Sequence, residues 1–142
     1  MITEILGGAR VSYPKDCGNA PKKGILAGFY KAFAQGDWDY IQEHTADALS
    51  WNIVGKHEIG SQEEALALCR EQFFRGIQEI CLHNVITHGN VAAVNGEIIF
   101  GDGTSVFFCD IYKFGSFGKQ ARVKELFSVT IIVRVLLRVF DR

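Results

Sequence analysis

Asp110 carries the most pointed chemistry in this chain of 142 residues. It lies in Val106-Phe107-Phe108-Cys109-Asp110-Ile111-Tyr112-Lys113-Phe114, whose aromatic and β-branched content predicts a strand. Residues two apart on a strand share a face, so Asp110 looks the same way as Phe108, Tyr112 and Phe114. A carboxylate among aromatics is costly unless it is paired, hydrogen-bonded or protonated. Two readings follow, and both stay open. Asp110 is either a pocket acid with a raised pKa that gives or takes a proton, or a hydrogen-bonded carboxylate that holds Tyr30, Asn52 or a backbone amide in place.

Asn52, in Trp51-Asn52-Ile53-Val54-Gly55, is the natural polar companion. With Asp110 it would tip an apolar pocket and orient a ligand carbonyl or a water. Phe29, Tyr30, Phe33, Trp38, Trp51, Phe108 and Tyr112 are the candidate walls, although the same side chains would also serve simply to fill a core. Other chemistries find little support. His44, His57, His83 and His88 do not form a metal-ligand spacing, so no metal is expected. There is no Gly-rich phosphate loop, no Gly-x-Ser-x-Gly elbow and no Cys-x-x-Cys pair, and no cofactor is expected.

Composition narrows the class further. With 48% hydrophobic and 22% charged residues, the length suits one soluble domain over residues 1–142. A formal net charge of -1 and the lack of any Lys/Arg run argue against a nucleic-acid partner. The longest apolar run, Val129 to Val133, falls far short of the ~20 residues of a membrane span, so no membrane partner is expected. Cys17, Cys69, Cys81 and Cys109 are scattered behind an opening with no leader character. The expectation is reduced thiols in a cytoplasmic protein, with Cys69, Cys81 and Cys109 as small core side chains.

The elements that must position Asp110 can be read in order. Residues 1–15 are expected to be irregular, with Gly7-Gly8 and Tyr13-Pro14 as breakers. A helix then enters near Asn19 with Pro21 in its first turn, shows Ile25, Leu26, Phe29, Ala32 and Phe33 on one face, and ends at Gly36. Asp37 caps a short second helix. Leu49 to Gly55 reads as a strand, with Leu49, Trp51 and Ile53 on one face and Ser50, Asn52 and Val54 on the other. After a loop from Lys56 to Gly60, Ser61-Gln62-Glu63-Glu64 is a capping box for a third helix reaching Gly76. Everything from Ile77 reads as sheet: a loosely alternating strand to His88, a hairpin turning at Gly101-Asp102-Gly103, and a last strand from Val123 to Val133. Residues 134–142 form an atypical tail that fits a strand extension or an amphipathic helix equally.

This order, a Gly-Asp between the first two helices, Trp51 to Gly55 and Cys109 to Phe114 resemble the nuclear transport factor 2-like (SnoaL-like) superfamily from about Asp16 to Val133. Asp16-Cys17-Gly18-Asn19, Ile86-Thr87-His88-Gly89 and Ala93-Val94-Asn95-Gly96 look like an uncharacterised bacterial branch of it. The resemblance implies an α+β, cone-shaped (cystatin-like) fold: three N-terminal helices on a strongly curved, mainly antiparallel sheet, with a pocket between them. It also implies a homodimer through the outer sheet face. In the family's steroid isomerases the pocket holds an Asp base beside a Tyr and a protonated Asp. By element order Asn52 stands in the place of the base, Phe29 in that of the Tyr, and Asp110 in that of the protonated Asp. Asparagine cannot accept the proton and phenylalanine cannot donate, so only Asp110 keeps its chemistry. The Asp-Arg-Asp arrangement of the epoxide hydrolases is not recognisable.

The expected function is binding of a small hydrophobic molecule, with cofactor-free isomerase, cyclase or hydrolase chemistry left open. The alternative is a non-catalytic dimeric interaction or scaffold module.

Overall fold

The computed structural model describes residues 1–18, 20–115 and 121–133. The chain opens not with irregular backbone but with a hairpin, β1 (Ile2–Leu6) and β2 (Ala9–Tyr13). Gly7 and Gly8, read above as breakers, turn it, with φ of 59 and 85. Two successive positive-φ residues match the twist of a two-residue hairpin, a geometry glycine enters without strain. A 3₁₀ turn, Lys15–Gly18, leads to α1 (Pro21–Gln35), which starts on its proline and ends at Gly36 in the left-handed conformation, φ 71.

The second helix, α2 (Trp38–Glu43), is capped by the Asp37 side chain, which accepts from Tyr40 N–H. Strand β3 (Thr45–Ile53) starts four residues earlier than its apolar alternation suggests, because Thr45 to Ala48 extend the same strand. The loop expected at Lys56 to Gly60 holds a short strand, β4 (His57–Ile59), antiparallel to β3. Helix α3 (Gln62–Phe73) begins at the Ser61 capping box. Four strands complete the chain: β5 (Ile77–His88), β6 (Val91–Phe100), β7 (Ser105–Phe114) and β8 (Val123–Val133). The loop after Gly115 and the tail of residues 134–142 fall outside the described residues.

The strands form one curled sheet in the order β1-β2-β5-β6-β7-β8-β3-β4. Pairing is antiparallel except for β2 with β5 and β3 with β8. The looseness of the β5 alternation has a physical cause, since its register against β6 shifts between Ile77 and Glu79 and again between Leu82 and Asn84. Such bulges bend a strand and increase its twist. At the bend Gly96 is required: a Cβ there would meet Cys81 O at 2.2 Å. Helix α1 lies in the concavity, burying Leu26, Ala27, Phe29 and Tyr30 against Val11, Ile80, Leu82 and Phe114. The fold is thus α+β, helices on a strongly curved and mainly antiparallel sheet.

Candidate functional site

Strand β7 runs through the middle of the sheet, between β6 and β8, and its alternation sets the site. Val106, Phe108, Asp110 and Tyr112 turn inward, while Phe107, Cys109, Ile111 and Lys113 turn out. Cys109 is therefore exposed and not a core side chain as its place in a strand suggested. Inside the cone the inward residues meet a cavity of about 310 Å³ bounded by α1, α3 and the inner face of β3, β6, β7 and β8. That is the low end of small-molecule sites.

Its walls are largely apolar, with Lys56, His57 and Arg75 among the lining residues and one polar chain running through its interior. Tyr30 Oη donates to Asp110 Oδ2 at 2.6 Å and lies 2.7 Å from Tyr112 Oη. A phenol has one proton, so with Tyr30 committed to the Asp110 carboxylate, Tyr112 donates to Tyr30. On the other side the Ser128 hydroxyl donates to Asp110 and accepts from Trp51 Nε1 at 2.9 Å. Helix α1, β7, β8 and β3 each supply a member. Stacking fixes the rings: Tyr30 on Phe108 at 5.3 Å between centroids, and Phe29 on Tyr112 at 5.8 Å.

Burial pushes the Asp110 carboxyl up to about 6, with the hydrogen bonds from Tyr30 and Ser128 pulling the other way. Burial, followed by the nearby Asp110 charge, holds both Tyr30 and Tyr112 well above the usual phenol value, so both keep their protons. The Cys69 thiol, on the α3 wall, is pushed up to about 12, again by burial first and Asp110 second. It is no nucleophile at neutral pH. Cys17, fully inside the core, is shifted the same way by burial. Asp110 is thus the acid of this cavity with both protonation states accessible near neutral pH, as general acid–base work requires.

Seven of the nine sequence candidates line the cavity: Phe29, Tyr30, Phe33, Trp51, Phe108, Asp110 and Tyr112. Two do not. Asn52 is paired with Glu58 and Phe127 and shares their outward face, because β3 alternates and its inward set is Leu49, Trp51 and Ile53. It neither tips the pocket nor meets Asp110. Trp38 packs edge-on against Phe73 at 5.4 Å, with the Arg70 guanidinium 5.9 Å from its ring, away from the cavity. Of the partners expected for Asp110, Tyr30 is the one found: Tyr30, and not Phe29 at the family's Tyr position, reaches it. Ser128 also lines the cavity, and its one signal in the sequence is a serine on the inward phase of the apolar run Leu126 to Val133.

Comparison with solved structures places the fold. An NTF2-like (nuclear transport factor 2-like) protein of unknown function from Cytophaga hutchinsonii superposes with TM-score 0.58 at 22% identity, over 76% of this chain and 97% of that one. A protein assigned as a SnoaL-like polyketide cyclase from Jannaschia sp. matches with TM-score 0.64 at 18% identity, covering 84% and 89% of the two chains. An LEH-like epoxide hydrolase of M. tuberculosis gives TM-score 0.61 at 16% identity, covering 76% and 80%. The chain has the nuclear transport factor 2-like, SnoaL-like fold, and at these identities the likeness is one of fold. No protein-family model and no curated protein matches the sequence.

Proposed function

We propose that this protein takes a small hydrophobic, carbonyl-bearing or cyclic compound into the cone and moves a proton on it with Asp110, without a cofactor. The observation that carries the reading is Asp110 itself: one carboxyl in an apolar cavity, held by Tyr30 and Ser128 and poised near neutrality. As carboxylate it takes a proton from the carbon beside a ligand carbonyl, and as carboxyl it returns that proton to another carbon or to a leaving oxygen. Nothing is oxidised. Phe29, Phe33, Trp51 and Phe108 give the apolar walls, while Tyr30 and Tyr112 fix the carboxyl. Fold neighbours assigned as a polyketide cyclase and an epoxide hydrolase show that such a cone can serve small-molecule chemistry. The setting proposed is cytoplasmic, with neither nucleic acid nor membrane as partner. Among the described residues no helix is long and apolar enough to cross a membrane.

A specific observation favours assembly as well. Ile86, Ile111, Phe127, Val129 and Ile131 stand exposed on the outer sheet face. Ile86, Ala93, Ile111 and Phe127 form one row across β5, β6, β7 and β8. An apolar face of this kind marks a protein contact, and we assign it to a homodimer through the sheet. An interaction module with a merely filled cone is the second reading.

A thermal-shift screen of apolar carbonyl metabolites, run on wild type and Asp110→Asn together, separates the two. A ligand at 100 times its Kd adds ~2.7 kcal/mol of stability. A hit weakened or lost in the variant supports the pocket reading; no hit with either protein favours the interaction module.

A further inference from the structure

The rim of the cavity is as distinctive as its depths. Lys56, at the β3–β4 turn, and Arg75, just beyond α3, both line it, as does the imidazole of His57. Lys56 Nζ donates to Thr130 Oγ1 at 3.0 Å, and no carboxylate lies within 4 Å of it among the described residues. Arg75 Nη1 donates to Gln72 Oε1 at 3.1 Å, and its guanidinium lies 4.0 Å over the Phe100 ring. Neither of the acids nearby, Glu58 and Asp102, lines the cavity. Glu58 pairs with Asn52 on the outer face of the sheet. Asp102 accepts Thr104 N–H within its own turn at 2.9 Å and forms a long, exposed ion pair with Arg75 Nη2 at 3.9 Å. Asp110 is therefore the one carboxylate among the lining residues, and it lies deeper than the cations.

We infer that the ligand is an amphipathic carboxylate, its anionic head drawn to the rim that Lys56 and Arg75 make cationic and its apolar body reaching inward to Asp110. Two cations at the lip of a low-dielectric cleft focus the field on an entering anion. Arg75 also offers a planar fork of N–H donors that matches a carboxylate. The register sets the reach. Thr130, the partner of Lys56, and Ser128, the partner of Asp110, share the inward face of β8 two residues apart, about 7 Å. A ligand with four or five bonds between its carboxylate and its reacting carbon spans that gap. This inference rests on the pocket reading above and adds the charge of the substrate to it.

The test is a matched pair of probes, 5-benzoylpentanoate and its methyl ester, titrated calorimetrically into wild type, Lys56→Gln, Arg75→Gln and the double variant. Both side chains are exposed, and unchanged melting temperatures will show that the variants fold. The expected result is that the acid binds about tenfold tighter than the ester to wild type. The preference should fall in each single variant, vanish in the double, and weaken with added salt. An ester that binds as well as the acid overturns the inference and leaves the pocket reading intact. So does an acid preference that survives in the double variant. Binding of neither probe counts against the inference and the pocket reading together.

Discussion

Tyr30 Oη and Asp110 Oδ2 lie 2.6 Å apart, joining the middle of α1 to the middle of β7 across 80 positions of sequence. The bond ties the long helix to the sheet and holds a carboxyl in a place that burial alone would forbid to its charged form. The same contact is both a structural tie and the setting of an acid–base group, and its two aspects can be measured separately.

The first consequence is a pH dependence with a definite sign. The folded carboxyl sits at about 6, above an unfolded value of about 3.9. Between these values the folded state binds more protons, so this group makes stability fall as pH rises from about 4 to 6, and flat beyond. After allowing for water in the open cavity, the effect is of order 2 kcal/mol. Glu4, whose carboxyl is lowered by hydrogen bonds from Tyr13 and Lys31, works in the opposite sense. The measurable quantity is therefore the difference between wild type and Asp110→Asn in urea melts from pH 4 to 8. The variant should gain on wild type as pH rises through that window; parallel curves would mean that Asp110 titrates normally.

Tyr30→Phe removes the hydroxyl and nothing else. Asp110 keeps only Ser128, and Tyr112 loses its acceptor. The expected cost is about 1–3 kcal/mol in denaturant melts, the usual penalty for orphaning buried polar partners. The Asp110 midpoint should rise above that of wild type, because the lost bond favoured the charged form. A lower midpoint would contradict the hydrogen-bond assignment.

The two tryptophans give an optical test of which aromatic faces the cavity. Trp51 lines it and donates to Ser128, whereas Trp38 lies against Phe73. A ligand entering the cone should change emission in wild type and in Trp38→Phe, and leave Trp51→Phe silent. A response lost with Trp38 instead would place the site elsewhere.

For the outer face the prediction concerns assembly. Ile111 and Phe127 are paired across β7 and β8 and about half exposed. Changing both to lysine puts charge in the middle of the proposed dimer contact, where it cannot be desolvated cheaply. Sedimentation should show wild type as a dimer and the double variant as a monomer with unchanged circular dichroism. A wild type that sediments as a monomer at tens of micromolar would remove the dimer proposal.

Much of this was legible in residue order. The Pro21 start and Gly36 stop of α1, the Ser61 capping box, and the long strands after Ile77 follow from local chemistry that the chain states outright. So does the face shared by Phe108, Asp110 and Tyr112. The N-terminal hairpin was missed because Gly7-Gly8 reads equally as a breaker and as a turn. What stabilises β2 is its parallel pairing with β5, some seventy residues away. Asn52 was misplaced for a different reason. Element order aligned it with a catalytic position, but the alternation of Leu49, Trp51 and Ile53 already turned it outward. Choosing Tyr30 over Phe29 needed distance, since neighbours on a helix differ by about 100° and only one hydroxyl reaches β7.

The Asp110 side-chain carboxyl can be titrated directly by carbon NMR, with Asp110→Asn used to assign the resonance. A midpoint near 6 is the predicted result, and it would establish a carboxyl able to accept and return a proton at neutral pH. A midpoint near 4, the value of an ordinary solvated aspartate, would contradict the account: the carboxyl would then be a hydrogen-bonded strut in a filled cone.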